Sequence, residues 1–300
     1  MDADFEKDLI LVTCASGKQC SHLLPHLAKK WKRLRLQVNS SSSYERLKQQ
    51  YPHAEVVQVD LANRNAVDIL AIGVTAIYLV GPSFHPRETD VCKNVIDGAI
   101  NDGGVEHIVY SSVLNSQLSK MLNHDCKRYV EEYLMESGIP YTIMQPTHFM
   151  DTFPVAMLAK QEHPVFPAAW DPKIEFSFIA LRDLGEASAK VFVERERHFY
   201  AQYPLVSAGL HSYEEVVSIA GKEIGKKIAI EKLPYEEAVG SRLKMLTGTN
   251  HPNPRTKDTA ERMLLFYNRR GLVGNSNQLE WLLERKPTSY AEWVRGKLQE

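Results

Sequence analysis

Between Leu9 and Leu24 the chain sets Cys14, Gly17 and Cys20 at three-residue intervals. They come directly after the apolar run Leu9-Ile-Leu-Val12 and directly before a segment with helical apolar spacing. A strand that ends in small residues and turns into a helix aims backbone N–H groups and a helix N-terminus at one point, which is the chemistry of pyrophosphate binding. The usual spacing is G-x-x-G-x-x-G, whose first glycine permits the tight turn and whose third allows close helix–strand packing. Only the middle glycine stands here. Cysteine is small and apolar, so the turn can persist. A scaffold that has lost its ligand, and a redox pair of Cys14 and Cys20, are the competing readings. A second group of chemical interest follows the apolar stretch 34–38: Asn39-Ser-Ser-Ser-Ser43, with Arg46 one helical turn beyond. In a dinucleotide fold this is where the adenosine ribose is read, by an acid for the 2′-hydroxyl of NAD or by hydroxyls and a cation for the 2′-phosphate of NADP. No acid stands here. That favours NADP(H), with NAD(H) the alternative, and makes Asn39, Ser40 and Ser41 cofactor contacts; the same residues also read as a polar surface loop.

These groups need a sheet to hold them. Strands are predicted at 34–38, 55–59, 76–80, 106–110 and 141–144, after the first at 9–12. Helices fall between them at 44–50, 65–71, 88–101 and 126–137. Unbroken alternation of strand and helix means an α/β fold, a doubly wound parallel sheet with ligands at the carboxyl ends of its strands. The character changes near residue 150. A Pro-punctuated segment and a short strand at 176–179 lead into helices from 182 and at 212–225, 234–246, 258–269 and 290–298, with loops at 250–254 and 271–275. The expected organisation is a nucleotide-binding domain over 1–150 and a smaller, mostly helical, substrate-covering lobe over 151–300, with later segments returning to the first. The 300 residues are 44% hydrophobic and 24% charged, with a formal net charge of −1. That balance lacks the basic excess of a nucleic-acid binder. No apolar run is long enough to span a membrane, and a cytoplasmic location is expected. Cys14, Cys20, Cys92 and Cys126 have no metal-ligand spacing, so reduced thiols and no metal are expected.

The order of motifs resembles the NmrA-like family of atypical short-chain dehydrogenase/reductases. The residues that carry the likeness are VTCASGKQCSHLL from Val12, VVQVDL from Val56, Val109-Tyr-Ser-Ser112 and Tyr141-Thr-Ile-Met-Gln-Pro-Thr-His-Phe-Met150. The stretch Arg262-Met-Leu-Leu-Phe-Tyr-Asn-Arg-Arg-Gly-Leu-Val-Gly-Asn275, then Trp281-Leu-Leu and Pro287-Thr-Ser-Tyr-Ala-Glu-Trp293, is similar to fungal members. The resemblance implies a Rossmann-like fold and NAD(P) binding. It also implies one of two function classes: reductases, including tailoring enzymes of fungal secondary metabolism, or redox-sensing regulators that bind a protein partner and turn nothing over.

Carried onto this sequence, the family's contacts put Gly17, Lys18, Gln19 and Cys20 at the pyrophosphate and Asp60 and Leu61 beside the adenine. Val80, Gly81 and Pro82 pass under the cofactor, Ser111 and Ser112 close the fifth strand, and Pro146, Thr147 and Phe149 face the nicotinamide. The signature of conventional relatives is Tyr-x-x-x-Lys. Lys127 fits the lysine, as a ribose ligand or else as a solvated helix lysine, but Asn123 stands where the tyrosine should. An amide cannot act as a general acid. His124 is adjacent, and Tyr129 falls on another helix face. His148, between Thr147 and Phe149, is the preferred acid/base, with Lys127 its catalytic partner. Hydride transfer to an already electrophilic carbon, such as an iminium, needs no strong acid. Phe149, Phe153, Phe166, Trp170, Phe176 and Phe178 form either plain core or the wall for a flat apolar, alkaloid-like substrate whose reduction can unmask a cyclisation.

Overall fold

The computed structural model describes residues 3–248 and 253–300, so residues 250–252 of the expected loop at 250–254 lie outside the described residues. The strands are β1 (Leu9–Val12), β2 (Arg33–Val38), β3 (Glu55–Gln58), β4 (Ala76–Val80), β5 (His107–Ser111), β6 (Tyr141–Pro146), β7 (His148–Phe149), β8 (Val165–Ala168), β9 (Glu175–Ile179), β10 (Ala201–Leu205), β11 (Ala208–Ser212) and β12 (Ala229–Lys232). The helices are α1 (Lys18–Lys30), α2 (Ser41–Gln50), α3 (Arg64–Ala71), α4 (Glu88–Asp102), α5 (Leu122–Glu136), α6 (Val155–Lys160), α7 (Leu181–Glu194), α8 (Tyr213–Ile224), α9 (Tyr235–Thr247), α10 (Pro254–Arg270), α11 (Asn277–Leu283) and α12 (Tyr290–Gln299).

Seven strands form one sheet in the order β3-β2-β1-β4-β5-β6-β10, every pairing parallel. The β1 run is apolar throughout because both of its faces are covered. Ile10 and Val12 pack with Leu23, Leu24 and Leu27 of α1, whereas Leu9 and Leu11 pack with Val91, Val95 and Ile96 of α4. Strand order reverses between β1 and β4, the place where a doubly wound sheet opens a crevice. Helix α7 returns from the second half to pack on α1. Gly185 allows the approach: a Cβ there would stand 2.5 Å from the His22 carbonyl oxygen. The remaining elements build a lobe over the strand ends around its own apolar core, which includes Trp170, Phe176, Phe178, Tyr213 and Tyr267.

Three expectations shift. The lobe is helical in the main but carries a three-stranded sheet, β11-β9-β7, and a two-stranded one, β12-β8. Helix α2 begins at Ser41 rather than Tyr44, because Ser40 caps it by accepting from the Ser43 amide at 3.3 Å. Helix α5 begins at Leu122 rather than Cys126, which places Asn123 one turn before Lys127 on the same helix.

Candidate functional site

The turn after β1 survives its missing glycines by two local devices. Cys14 adopts the left-handed conformation, φ 47°, that the first glycine would take freely. The buried Gln37 side chain then accepts from the Cys14 amide at 2.8 Å and donates to the Val59 carbonyl at 2.6 Å. Thr13 ties the turn to β4, its hydroxyl donating to the Val80 carbonyl at 2.9 Å and accepting from the Val80 amide at 2.8 Å. Cys20 lies buried on the inner face of α1, its thiol directed at the Thr13 carbonyl 3.8 Å away. Burial pushes the Cys14 thiol up to about 12 and Cys20 higher still. Both are free cysteines, and burial disfavours the thiolate that a redox sensor needs.

Helix α1 starts at Lys18 from an extended Gly17, with no side-chain cap and no acid in its first turn. The first amides of a 13-residue helix therefore face the crevice without a protein anion or cap before them, a site that fits a pyrophosphate. Arg46 of α2 leans over the same turn and donates to the Ser16 carbonyl at 3.0 Å.

A cavity of about 450 Å³ runs from this turn to the lobe. It brings together Gly17, Lys18, Gln19 and Cys20 with Val80, Gly81 and Pro82. Ser111, Ser112, Lys127, Pro146, Thr147, His148 and Phe149 line it as well. Asn39, Ser40, Ser41, Asp60 and Leu61 lie outside its lining, toward the β2–β3 edge. There Ser41 donates to Gln58 at 3.1 Å, Asp60 accepts from the Ala62 amide at 2.9 Å, and Leu61 is buried.

Lys127 is no solvated helix lysine. It is buried and paired with Glu88 of α4, whose other carboxylate oxygen accepts from the Phe84 amide at 3.1 Å. Burial works against the Lys127 charge, yet Glu88 outweighs it and holds the ammonium above the usual lysine range. Phe84 sits at φ 63°, a strained conformation for an aromatic residue, and Thr256 of α10 anchors its carbonyl at 3.0 Å. Beside Lys127, the Asn123 side chain lines the cavity, and its side-chain oxygen is buried with no hydrogen-bond partner among the described residues. Behind Ser112 lies a second acid. Glu131 is buried and accepts from Ser112 at 2.5 Å, Ser116 at 2.6 Å and Gln145 at 2.9 Å.

Burial disfavours the protonated form of both histidines. His148 stands at the substrate end, its ring 5.5–5.7 Å from those of Trp170, Phe176 and Phe178 and its Nε2 3.1 Å from the Tyr213 hydroxyl. Burial, then the nearby Arg242, lowers it to about 3, so the acid/base role expected of it lacks a protonated imidazole at neutral pH. His124 is buried behind the wall against the Asn115 carbonyl at 3.1 Å, and burial lowers it to about 4. Tyr129 is exposed beneath the Arg128 guanidinium and does not line the cavity. Of the ring residues expected in the wall, Phe149 reaches the cavity. Phe153 and Phe166 stack on each other at 4.9 Å within the lobe core, and Trp170, Phe176 and Phe178 form the layer behind His148. Glu88, Glu131 and Arg242 escaped the sequence reading. An acid opening a helix directly after the Gly81-Pro82 turn was the one signal available, and it marks Glu88. Among the described residues no cluster of His, Cys, Asp and Glu has the makings of a metal site, and no helix is long and apolar enough to cross a membrane.

With this geometry in hand, the comparisons agree in direction. The model of the NmrA-like family matches residues 6–293. Quinone oxidoreductase 2 of Escherichia coli (strain K12) is 28% identical over 179 residues, 59% of this chain and 61% of that protein. The NmrA-like family domain-containing oxidoreductase cpsB of Aspergillus campestris (strain IBT 28561) is 27% identical over 206 residues, 58% of this chain and 60% of that protein. The chain thus spans about three fifths of the length of the curated relatives it matches. Among solved structures, the E. coli NADPH-dependent quinone oxidoreductase QOR2 complexed with NADPH superimposes with a TM-score of 0.77 at 22% identity, covering 97% of this chain and 100% of that one. Triphenylmethane reductase of Citrobacter sp. gives 0.78 at 22%, covering 97% and 99%. The negative transcriptional regulator NmrA in complex with NADP gives 0.75 at 18%, covering 96% and 94%. These likenesses establish the fold.

Proposed function

The chain belongs to the NmrA-like family, and from that premise we propose that it is an NADP(H)-dependent oxidoreductase. Its substrate is read as a flat, apolar metabolite and its role as a tailoring step of secondary metabolism, in which reduction of a conjugated carbon can release a cyclisation. The observation that carries this reading is the two-ended cavity. An uncapped, acid-free helix start under Arg46 forms one end, and His148 with Phe84, Phe149 and Tyr267, backed by the buried Trp170, Phe176 and Phe178, the other. The names of two relatives, both oxidoreductases, support it.

The first amides of α1, with Lys18, would hold the pyrophosphate. Arg46 and the hydroxyls of Ser40 and Ser41 would meet a 2′-phosphate. Lys127, fixed by Glu88, would hold the nicotinamide ribose, and Pro146, Thr147 and Phe149 would back the ring. When bound, the reduced nicotinamide supplies a hydride. The chain's own part is to orient the acceptor against the wall formed by His148 and Tyr267, to exclude water with the lobe and to accept hydrogen bonds at Asn123. With Asn123 at the tyrosine position and His148 neutral, the wall offers no strong acid, so the fitting acceptor is a carbon that is electrophilic without protonation.

The test of the cofactor half is a pair of calorimetric titrations. NADPH is expected to bind tighter than NADH by about tenfold or more, the worth of charge-assisted bonds to the 2′-phosphate, and Arg46→Ala should narrow the gap. Equal affinities would overturn the preference. A second reading, a cofactor-sensing regulator, draws on the same absence of an acid and on the likeness to NmrA. It predicts tight NADPH binding with no oxidation.

A further inference from the structure

Among the described residues, Arg242 of α9 is the cation of the cavity wall that the cofactor reading leaves without a task. Its guanidinium lies over the Trp170 ring, 4.7 Å from the centroid, and it lines the substrate end together with His148, Met263 and Tyr267. Among the described residues it pairs with no carboxylate; its hydrogen bond is a 3.7 Å contact from Nη1 to the Met245 sulfur. Of the other charges lining this part of the cavity, Lys127 and Glu88 neutralise each other, and the buried Glu131 carboxylate lies behind Ser112, outside the lining. The substrate half of the cavity therefore holds a net positive charge among aromatic rings. Burial lowers the Arg242 pKa from its usual value, with the Tyr213 and Tyr267 hydroxyls acting the other way, yet a guanidinium stays charged at any physiological pH. Arg242 is half-buried, and drawing such a charge away from water costs free energy that stacking on indole only partly returns. Its planar fork matches a carboxylate in bidentate fashion.

We infer that Arg242 is a specificity-determining residue that selects substrates carrying an anionic oxygen group, a carboxylate or an ionised phenol, on a flat aromatic body. The inference rests on the reading of this cavity as the substrate site. It turns away from the iminium expected from the sequence, because a cationic substrate meets an uncompensated like charge at this wall. It also assigns a task to the rings that line the cavity, Phe84, Phe149 and Tyr267, which is to cover the apolar body while the guanidinium fixes its orientation.

Three probes of one shape separate the outcomes: naphthoate, the neutral naphthyl methyl ketone and naphthylmethylammonium. Each is titrated by calorimetry into protein saturated with NADP⁺. Naphthoate is expected to bind about tenfold to a hundredfold tighter than the ketone, the range for a hydrogen-bonded charge, and the ammonium weakest. Arg242→Met should erase the preference, and Arg242→Lys should keep part of it; melting curves check that both variants are folded. Equal affinities in the wild type, or a preference that survives Arg242→Met, would overturn the inference. So would a loss of NADPH affinity in Arg242→Met with the naphthoate preference intact, since that assigns the residue to the cofactor. NADPH oxidation is scored separately. A protein that prefers naphthoate through Arg242 but oxidises no NADPH upholds this inference and removes the enzymatic reading.

Discussion

At the scale of single residues, two side chains carry opposite lessons about substitution of a motif. Cys14 occupies a left-handed position and pays steric strain for its Cβ, whereas Cys20 sits in regular helix and packs its thiol against the Thr13 carbonyl. Cys14→Gly should therefore stabilise the protein by about 1 kcal/mol, a rise in melting temperature of roughly 2 °C for a chain of this size, with cofactor affinity kept. Cys20→Gly should instead cost at least about 1 kcal/mol, from helix propensity and a vacated buried site. Thermal melts of the two variants check both signs. His148 gives a pH prediction. Its folded-state pKa, about 3, lies below the ordinary histidine value. The unfolded chain thus takes up a proton near pH 6.5 that the folded chain refuses. The stability tied to neutral His148 is fully present above that pH and is lost as pH falls from there toward 3. His107 and His124, lowered by burial to about 3 and about 4, add to the same decline. In His148→Phe, unfolding free energies measured in urea between pH 6 and 4.5 should fall less steeply, by up to about 1.4 kcal/mol per pH unit. An unchanged slope would show that His148 is already protonated in the fold.

At the scale of elements, the Lys127–Glu88 pair joins α5 to α4 in the cavity wall. Glu88→Gln leaves a buried ammonium without its counter-charge and should destabilise the protein by roughly 3–5 kcal/mol. Adding Lys127→Met should recover much of that loss while lowering NADPH affinity by about tenfold to a hundredfold. Chemical denaturation and calorimetry on the single and double variants separate the structural role of the pair from the ligand role of the lysine. This pair also marks a limit of sequence reading. Lys127 was visible through its spacing from Asn123, but its partner is 39 residues away on another helix, and nothing local announces it. Arg242 is still less legible, because its meaning lies in which rings fold around it. Elements behave likewise. β1 and β4 were plain, since strands covered on both faces read as unbroken apolar runs. β10, Ala201-Gln-Tyr-Pro-Leu205, was missed, because an edge strand tolerates Gln and Pro that argue against a strand. The serine run before Tyr44 read as loop although Ser40 is a helix cap, so α2 started three residues early.

For the whole molecule, the parallel sheet and its crevice follow from the alternation of strand and helix, and the lobe supplies what the sheet lacks: an aromatic-backed end that carries Arg242, which pairs with no carboxylate among the described residues. The two halves are bound into one body, with β10 extending the first sheet and α7 packed on α1. An enzyme and a cofactor-sensing regulator differ in one event, the passage of hydride across that cavity. The most direct measurement is deuterium transfer from NADPH labelled at C4 of the dihydronicotinamide, with the protein in stoichiometric amount and a panel of aromatic conjugated carbonyls bearing a carboxylate or phenol. The expected result is a reduced product that carries the deuterium on carbon, formed faster with acidic members of the panel than with neutral ones. Tight binding of NADPH, with no deuterium in any product and the cofactor recovered unoxidised, would contradict the enzymatic reading and leave the regulator.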